Sequence, residues 1–216
     1  CNTALGWNAL SSNVTGVLNV AIGTCAGCNL LGSNNTLVGR LAGQAITSSD
    51  NNVLIGRSAG FNQVTGAGNT AVGYLTLINN VTGSNNVAIG GNVLYETSSV
   101  DEITAVGTNA MACTAKAGCQ NTAVGFAALC NSSGSYNTAV GHNAGSAVTS
   151  GSDNTFLGRN AGSANTSGSD NTFLGKEAGK SNTTGGFNTG VGTCALNAMT
   201  RGCANVALGH CTLDSL

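Results

Sequence analysis

Proline is absent from all 216 residues, aromatic side chains make up 4% of them and charged side chains 7%. Each shortage excludes something. Without Pro there are no Pro-anchored turns and no polyproline segments. Average proteins carry about 25% charged residues, so amphipathic helices with solvated outer faces are excluded. A formal net charge of −1 leaves no electrostatic footprint for nucleic acid or for an anionic membrane surface. No apolar run approaches the roughly 20 residues that a membrane-spanning helix needs. Glycine is abundant, with 33 copies, and the chain is 41% hydrophobic. Disordered chains are poor in Val, Ile and Leu, so this one must bury a core.

The organising signal is internal repetition. The pentad N-[TV]-x-[VIL]-G begins at Asn2, Asn19, Asn35, Asn52, Asn69, Asn86, Asn121, Asn137, Asn154, Asn171, Asn188 and Asn205, with a variant at Ile103. The spacings are 17, 16, 17, 17, 17, 17, 18, 16, 17, 17, 17 and 17 residues. The 18 is followed by a 16, so an insertion around Cys113 to Cys130 is largely compensated by the next repeat. The repeats fill residues 1–216, which read as one tandem-repeat domain without a linker.

Seventeen residues are too few for two strands and a helix, and no 3.6-residue period appears. They suffice for one coil of a flattened β-roll. The predicted fold is all-β, a parallel β-solenoid of about thirteen coils. Stacked at about 4.8 Å per coil, they would run roughly 60 Å. The invariant Gly that ends each pentad, from Gly6 to Gly209, marks a corner that only Gly accepts. Strand side chains alternate between faces. The second residue (Thr or Val) and the fourth (Val, Ile or Leu) are therefore expected to point inward together. The third, mostly Ala, is expected to face outward against a closely packed partner, which suggests a homotrimer. The Asn column is expected to form a hydrogen-bonded ladder from coil to coil, as in other in-register stacks. Ile103, beside Asp101 and Glu102, breaks that ladder and marks the expected site of local loosening.

The stretch N-T-A-V-G-H-N-A at Asn137 to Ala144 resembles the head repeats of trimeric autotransporter adhesins and the repeats of phage and viral tail fibres. The resemblance covers essentially the whole chain. It implies a β-roll in which three chains associate, displayed on a cell or virion surface. It also implies binding to host matrix or surfaces.

Nine cysteines need an explanation in a chain this bland. Cys194 and Cys211 occupy one column in consecutive coils, where the strand spacing matches the Cα separation of disulfides. Cys113 with Cys130, and Cys25 with Cys28, are further candidate pairs. Cys1, Cys119 and Cys203 are candidates for intermolecular bonds, because the count is odd. Structural disulfides imply an oxidising, extracellular setting. The alternatives are small buried thiols and, less well supported by spacing, zinc. The repeat runs to both ends of the 216 residues, so a second reading is an extracellular filament of end-stacked coils, stapled by cysteines.

One column carries the chemistry that a ligand would meet. The residue after the Gly corner is Trp7, Arg40, Arg57, Tyr74, Phe126, His142, Arg159, Lys176 or His210 in nine of the coils. This reads as an exposed stripe for glycans or anionic matrix, as an inter-subunit seam, or as a solvated rim. Asp50, Asp153 and Asp170 lie just ahead of ladder asparagines, where they can pair with a neighbour's basic stripe or bind Ca²⁺ weakly. Asn13, Asn80, Asn131, Asn165 and Asn182 begin N-x-[ST] sequons. Four of them share one turn column, read as outward-pointing, while the competing explanation is turn chemistry alone. No nucleophile elbow, paired carboxylates or phosphate loop is present, so no enzyme and no cofactor is expected. An ice-binding solenoid is set aside on one ground, that a Thr column interchanging with Val belongs inside.

Overall fold

A computed structural model describes residues 1–113 and 118–214. It is an all-β parallel solenoid, and no helix occurs among the described residues. There are thirteen strands of three residues each, one per pentad, and they occupy the second to fourth pentad positions. The chain divides into two compact units, Cys1–Thr108 and Asn109–Leu216.

The first unit holds β1 (Thr3–Leu5), β2 (Val20–Ile22), β3 (Thr36–Val38), β4 (Val53–Ile55), β5 (Thr70–Val72), β6 (Val87–Ile89) and β7 (Thr104–Val106). Each pairs in parallel with the next, column on column, as in Thr3 with Val20 and Leu5 with Ile22. The second unit holds β8 (Thr122–Val124), β9 (Thr138–Val140), β10 (Thr155–Leu157), β11 (Thr172–Leu174), β12 (Thr189–Val191) and β13 (Val206–Leu208), paired in the same way. The one-residue insertion between Ile103 and Asn121 does not disturb register within either unit.

The coil closes through single residues in left-handed conformation. The corner glycines have φ between 123° and 140°. A Cβ on Gly6 would lie 2.7 Å from the carbonyl oxygen of Gly23 in the next coil, so both the φ and the close approach require glycine. Further bends fall at positions seven, nine and seventeen of the repeat, as at Asn160 (φ 57°), Leu77 (φ 53°) and Asp153 (φ 58°). Pro is excluded throughout by these bends. It is also excluded because backbone N–H groups all around the coil donate to the neighbouring coil, as Gly158 does to Val140 and Asn160 to His142.

The asparagine ladder forms inside the solenoid. Asn154, Asn171 and Asn188 are buried. Asn171 donates from its backbone N and from Nδ2 to Asn154 Oδ1, both at 3.0 Å, and a second Nδ2 bond reaches the carbonyl of Gly185 at 2.8 Å. Asn154, Asn171 and Asn188 thus each tie their coil to the previous one and also close their own. At Ile103 the ladder loses its side-chain bonds, but the backbone N still donates to Asn86 Oδ1 at 3.0 Å and β7 keeps full register with β6. The expected loosening is not found at that strand. Residues 114–117 of the same coil lie outside the described residues.

The ladder decides which face is inside, and it reverses the expectation. With Asn inward, alternation sends the third pentad residue inward too and the second and fourth outward. Ala21, Leu37, Leu54, Phe156 and Phe173 are fully buried. Leu157 and Leu174 are 43% and 40% exposed. The Ala column is therefore core, and does not pack against another chain. The core is completed by positions eight, nine and twelve, with volume traded between positions three and nine. Where position three is large, position nine is Gly. A Cβ on Gly60 would come within 2.6 Å of Leu54 Cδ1, and one on Gly162 would overlap the Phe156 ring. With Ala71, Ala88 and Ala123 at position three, position nine is Leu77, Leu94 and Leu129, all buried, whereas the coils of Ala21 and Ala139 keep Gly27 and Gly145, whose space is filled by Leu37 and Phe156 of the next coil. Phe156 and Phe173 stack on each other with ring centroids 5.8 Å apart.

Candidate interaction surface

The outward columns of the strands make a regular apolar plane. In the second unit, Thr138, Thr155 and Thr172 are exposed, and each stands two residues before Val140, Leu157 or Leu174. The parallel register holds like columns in line. Neither column contains an ionisable residue in any coil. Per coil this plane covers roughly 50 Å², about 4.8 Å between strands by about 10 Å across. The six coils of the second unit thus present roughly 300 Å², the size of the largest apolar patch on an ordinary monomer, which is often functional.

Two edges flank the plane. The first is the column after the Gly corner. Trp7, Arg40, Arg57, Tyr74, Phe126, His142, Arg159, Lys176 and His210 are all exposed there. Neighbours along this edge touch. The Arg57 guanidinium lies 5.4 Å from the Tyr74 ring centroid, and Phe126 stacks on His142 at 5.2 Å. Arg159 pairs with Glu177 at 3.2 Å, and Lys180 also reaches Glu177 at 3.7 Å. The second edge lies at the other end of the strand, just before the ladder Asn. Asp153 and Asp170 are exposed there. In the first unit Asp50 stands one residue earlier in its repeat, ahead of Asn51, and its Oδ1 accepts a hydrogen bond from the Ser33 backbone N at 2.6 Å.

The sequons do not form an outward turn column. Asn80, Asn165 and Asn182 are fully buried. Each donates to the glycine carbonyl three residues on (Gly83, Gly168 and Gly185) and accepts from that glycine's N–H. They are internal turn locks, closed to glycan attachment in the folded chain. Asn13 in the same column is partly buried, and Asn131 alone of the five is exposed.

One of the three candidate disulfides is formed. Cys113 and Cys130 are bonded, with their Cα atoms 5.3 Å apart. Cys25 and Cys28 carry separate thiols that interact with each other, and Cys28 Sγ also reaches the Gln44 carbonyl at 3.8 Å. Burial raises the Cys28 thiol pKa, and the neighbouring Cys25 raises it further. Cys194 and Cys211 are also free, with Cys211 Sγ turned to Nε2 of His210 at 3.3 Å. Cys1, Cys119 and Cys203 are free as well, and Cys1 and Cys203 are exposed. Among the described residues, no three His, Cys, Asp or Glu side chains gather closely enough to hold a metal ion. No helix among them is long and apolar enough to cross a membrane.

No protein family, curated protein or solved structure matches the chain.

Proposed function

We propose that this chain is a non-catalytic structural or adhesive segment of an extracellular fibre, which works as a homo-oligomer displayed on a cell or virion surface. The observation that carries this reading is the flat, uncharged plane of Thr/Val and Val/Ile/Leu columns left facing outward. Chains that close these planes around an axis parallel to the solenoid would bury them and leave part of each flanking edge for matrix or glycans. Three chains is the number implied by the resemblance to adhesin heads and tail fibres. The test is native mass by light scattering, with and without reductant, on the parent chain and on a Leu157→Asp/Leu174→Asp variant. A discrete multiple of the chain mass in the parent, lost in the variant, supports the reading. A parent monomer overturns it. Open-ended particles that shorten on reduction would point instead to end-stacked filaments.

A second reading gains from the same observation. The ice-binding alternative was set aside because its Thr column was assigned to the inside. Thr138, Thr155 and Thr172 are exposed and in register, as an ordered water-binding array requires. Thermal hysteresis of the monomeric Leu157→Asp/Leu174→Asp chain against the parent would distinguish the two.

A further inference from the structure

The plane has a charged edge of each sign, and in two consecutive coils of the second unit an acid on one edge is matched by a base on the other. Asp153 and Arg159 belong to the β10 coil, and Asp170 and Lys176 to the β11 coil. In each coil the acid precedes the three-residue strand and the base follows its glycine corner, so the two stand at opposite edges of the plane. In the β4 coil of the first unit the residue opposite Arg57 is Asn51, so the acid–base match belongs to the β10 and β11 coils. Asp153, Arg159, Asp170 and Lys176 are all exposed. Among the described residues, the carboxylates of Asp153 and Asp170 and the Lys176 ammonium have no side-chain partner. Arg159 spends one N–H on Glu177 and has others to offer.

This distribution distinguishes ways of bringing two planes together. If a second copy is related by rotation about an axis parallel to the solenoid, the acidic edge of one chain meets the basic edge of the other at the same coil height. If the second copy runs antiparallel, its rotation axis lies across the solenoid, and acid meets acid while base meets base. Like charges placed in opposition at an interface are strongly unfavourable, and matched ones set register more than affinity. A slip of one coil would pair the β10 acid with the β11 base and leave the outer pair empty.

Resting on the reading above that the chains self-associate through this plane, we infer that the partner is a second copy running parallel and in register. Asp153 and Asp170 of one chain face Arg159 and Lys176 of the next. The edge columns thus form a seam that selects orientation and register, while the apolar plane supplies the affinity.

The test uses two variants of the full chain. In the first, Arg159→Asp and Lys176→Asp make both edges acidic. In the second, these are combined with Asp153→Lys and Asp170→Lys, which exchanges the edges. The column of Asp153 already accepts Leu18, Tyr136 and Phe187, so the fold tolerates the exchange, and far-UV circular dichroism checks it. Native mass spectrometry at low salt is the readout. The first variant should self-associate roughly tenfold more weakly or worse. The exchanged variant should recover assembly, and when refolded together with an isotope-labelled parent it should sort into separate homomers. Free mixing of parent and exchanged chains, or unchanged assembly of the first variant, overturns the seam while leaving self-association through the plane intact. A parent that is monomeric overturns both.

Discussion

Phe156 and Leu157 are neighbours on β10, and they should respond oppositely to truncation. Phe156 is fully buried, stacked on Phe173 and packed over Gly145 and Gly162. Phe156→Ala should cost about 3–5 kcal/mol, the usual range for a buried Phe lost to a cavity. Leu157 is 43% exposed, so Leu157→Ala should cost less than about 1 kcal/mol in the isolated chain. The measurement is urea unfolding followed by far-UV circular dichroism, below the concentration at which chains associate, since assembly would add its own stabilisation. A third variant sharpens the test. Phe156→Ala with Gly162→Leu recreates the Ala71/Leu77 arrangement of another coil. Burying the Leu returns about 1.5–3 kcal/mol, and its left-handed φ costs about 1–2. The pair should therefore recover about 1 kcal/mol of the loss. The inverted-face reasoning fails if Leu157→Ala is as damaging as Phe156→Ala, or if Gly162→Leu worsens the Phe156→Ala chain.

Three further outcomes follow from the same geometry. Asn171→Ala removes the bonds to Asn154 and Gly185 and leaves Asn188 N without its acceptor, so it should cost about 2–4 kcal/mol in urea unfolding, given about 1–3 per buried group left unpaired. Cys113→Ser with Cys130→Ser opens a 17-residue loop and should lower stability by about 3 kcal/mol on a loop-closure estimate, with no effect once the parent is fully reduced. The raised pKa of buried Cys28 leaves it with little thiolate near neutral pH. Its alkylation by iodoacetamide should therefore lag exposed Cys203 by roughly tenfold or more, and should accelerate as pH rises past the usual thiol range. Peptide mass spectrometry across a pH series reads this directly.

The repeat length, the strand positions, the corner glycines and the asparagine ladder were all legible in the pentad, because each is set by backbone geometry that tolerates few residue types. The inside of the coil was not. Val, Ile and Leu in the fourth column invite an inward assignment, and small Ala in the third invites an outer packing surface. Hydrophobic residues inside is a one-way rule, however, and apolar side chains on a surface are informative when they form a patch. Two signals in the sequence could have resolved the matter. The ladder asparagines share parity with the third column, so a buried ladder forces that column inside. Gly at position nine also accompanies Leu37, Leu54, Phe156 and Phe173 in their own coils, a trade in volume that only residues sharing one core would make. The sequons were misread for a related reason. Asn-x-Thr/Ser-Gly is turn chemistry in which Asn80, Asn165 and Asn182 bond the glycine three residues on, and that use points the side chain inward.

Once the face is inverted, the roles of the columns separate cleanly. Positions three, eight, nine and twelve vary together and hold the coil. The ladder and the corners barely vary and hold the stack. The second and fourth columns do something harder to explain within one chain. Thirteen coils keep β-branched or aliphatic residues on an outer surface, where they add nothing to the coil's own core and expose an aggregation-prone plane. The fourth column is Val, Ile or Leu in every coil, although Thr, which keeps strand geometry, stands two residues earlier in nine of the thirteen. Keeping the plane apolar while placing acids and bases at its two edges is consistent with selection for one partner in one orientation. A rod that had only to be soluble would need neither feature. The charge-exchange experiment addresses that point, because it leaves the plane untouched and alters only which neighbour the edges can accept.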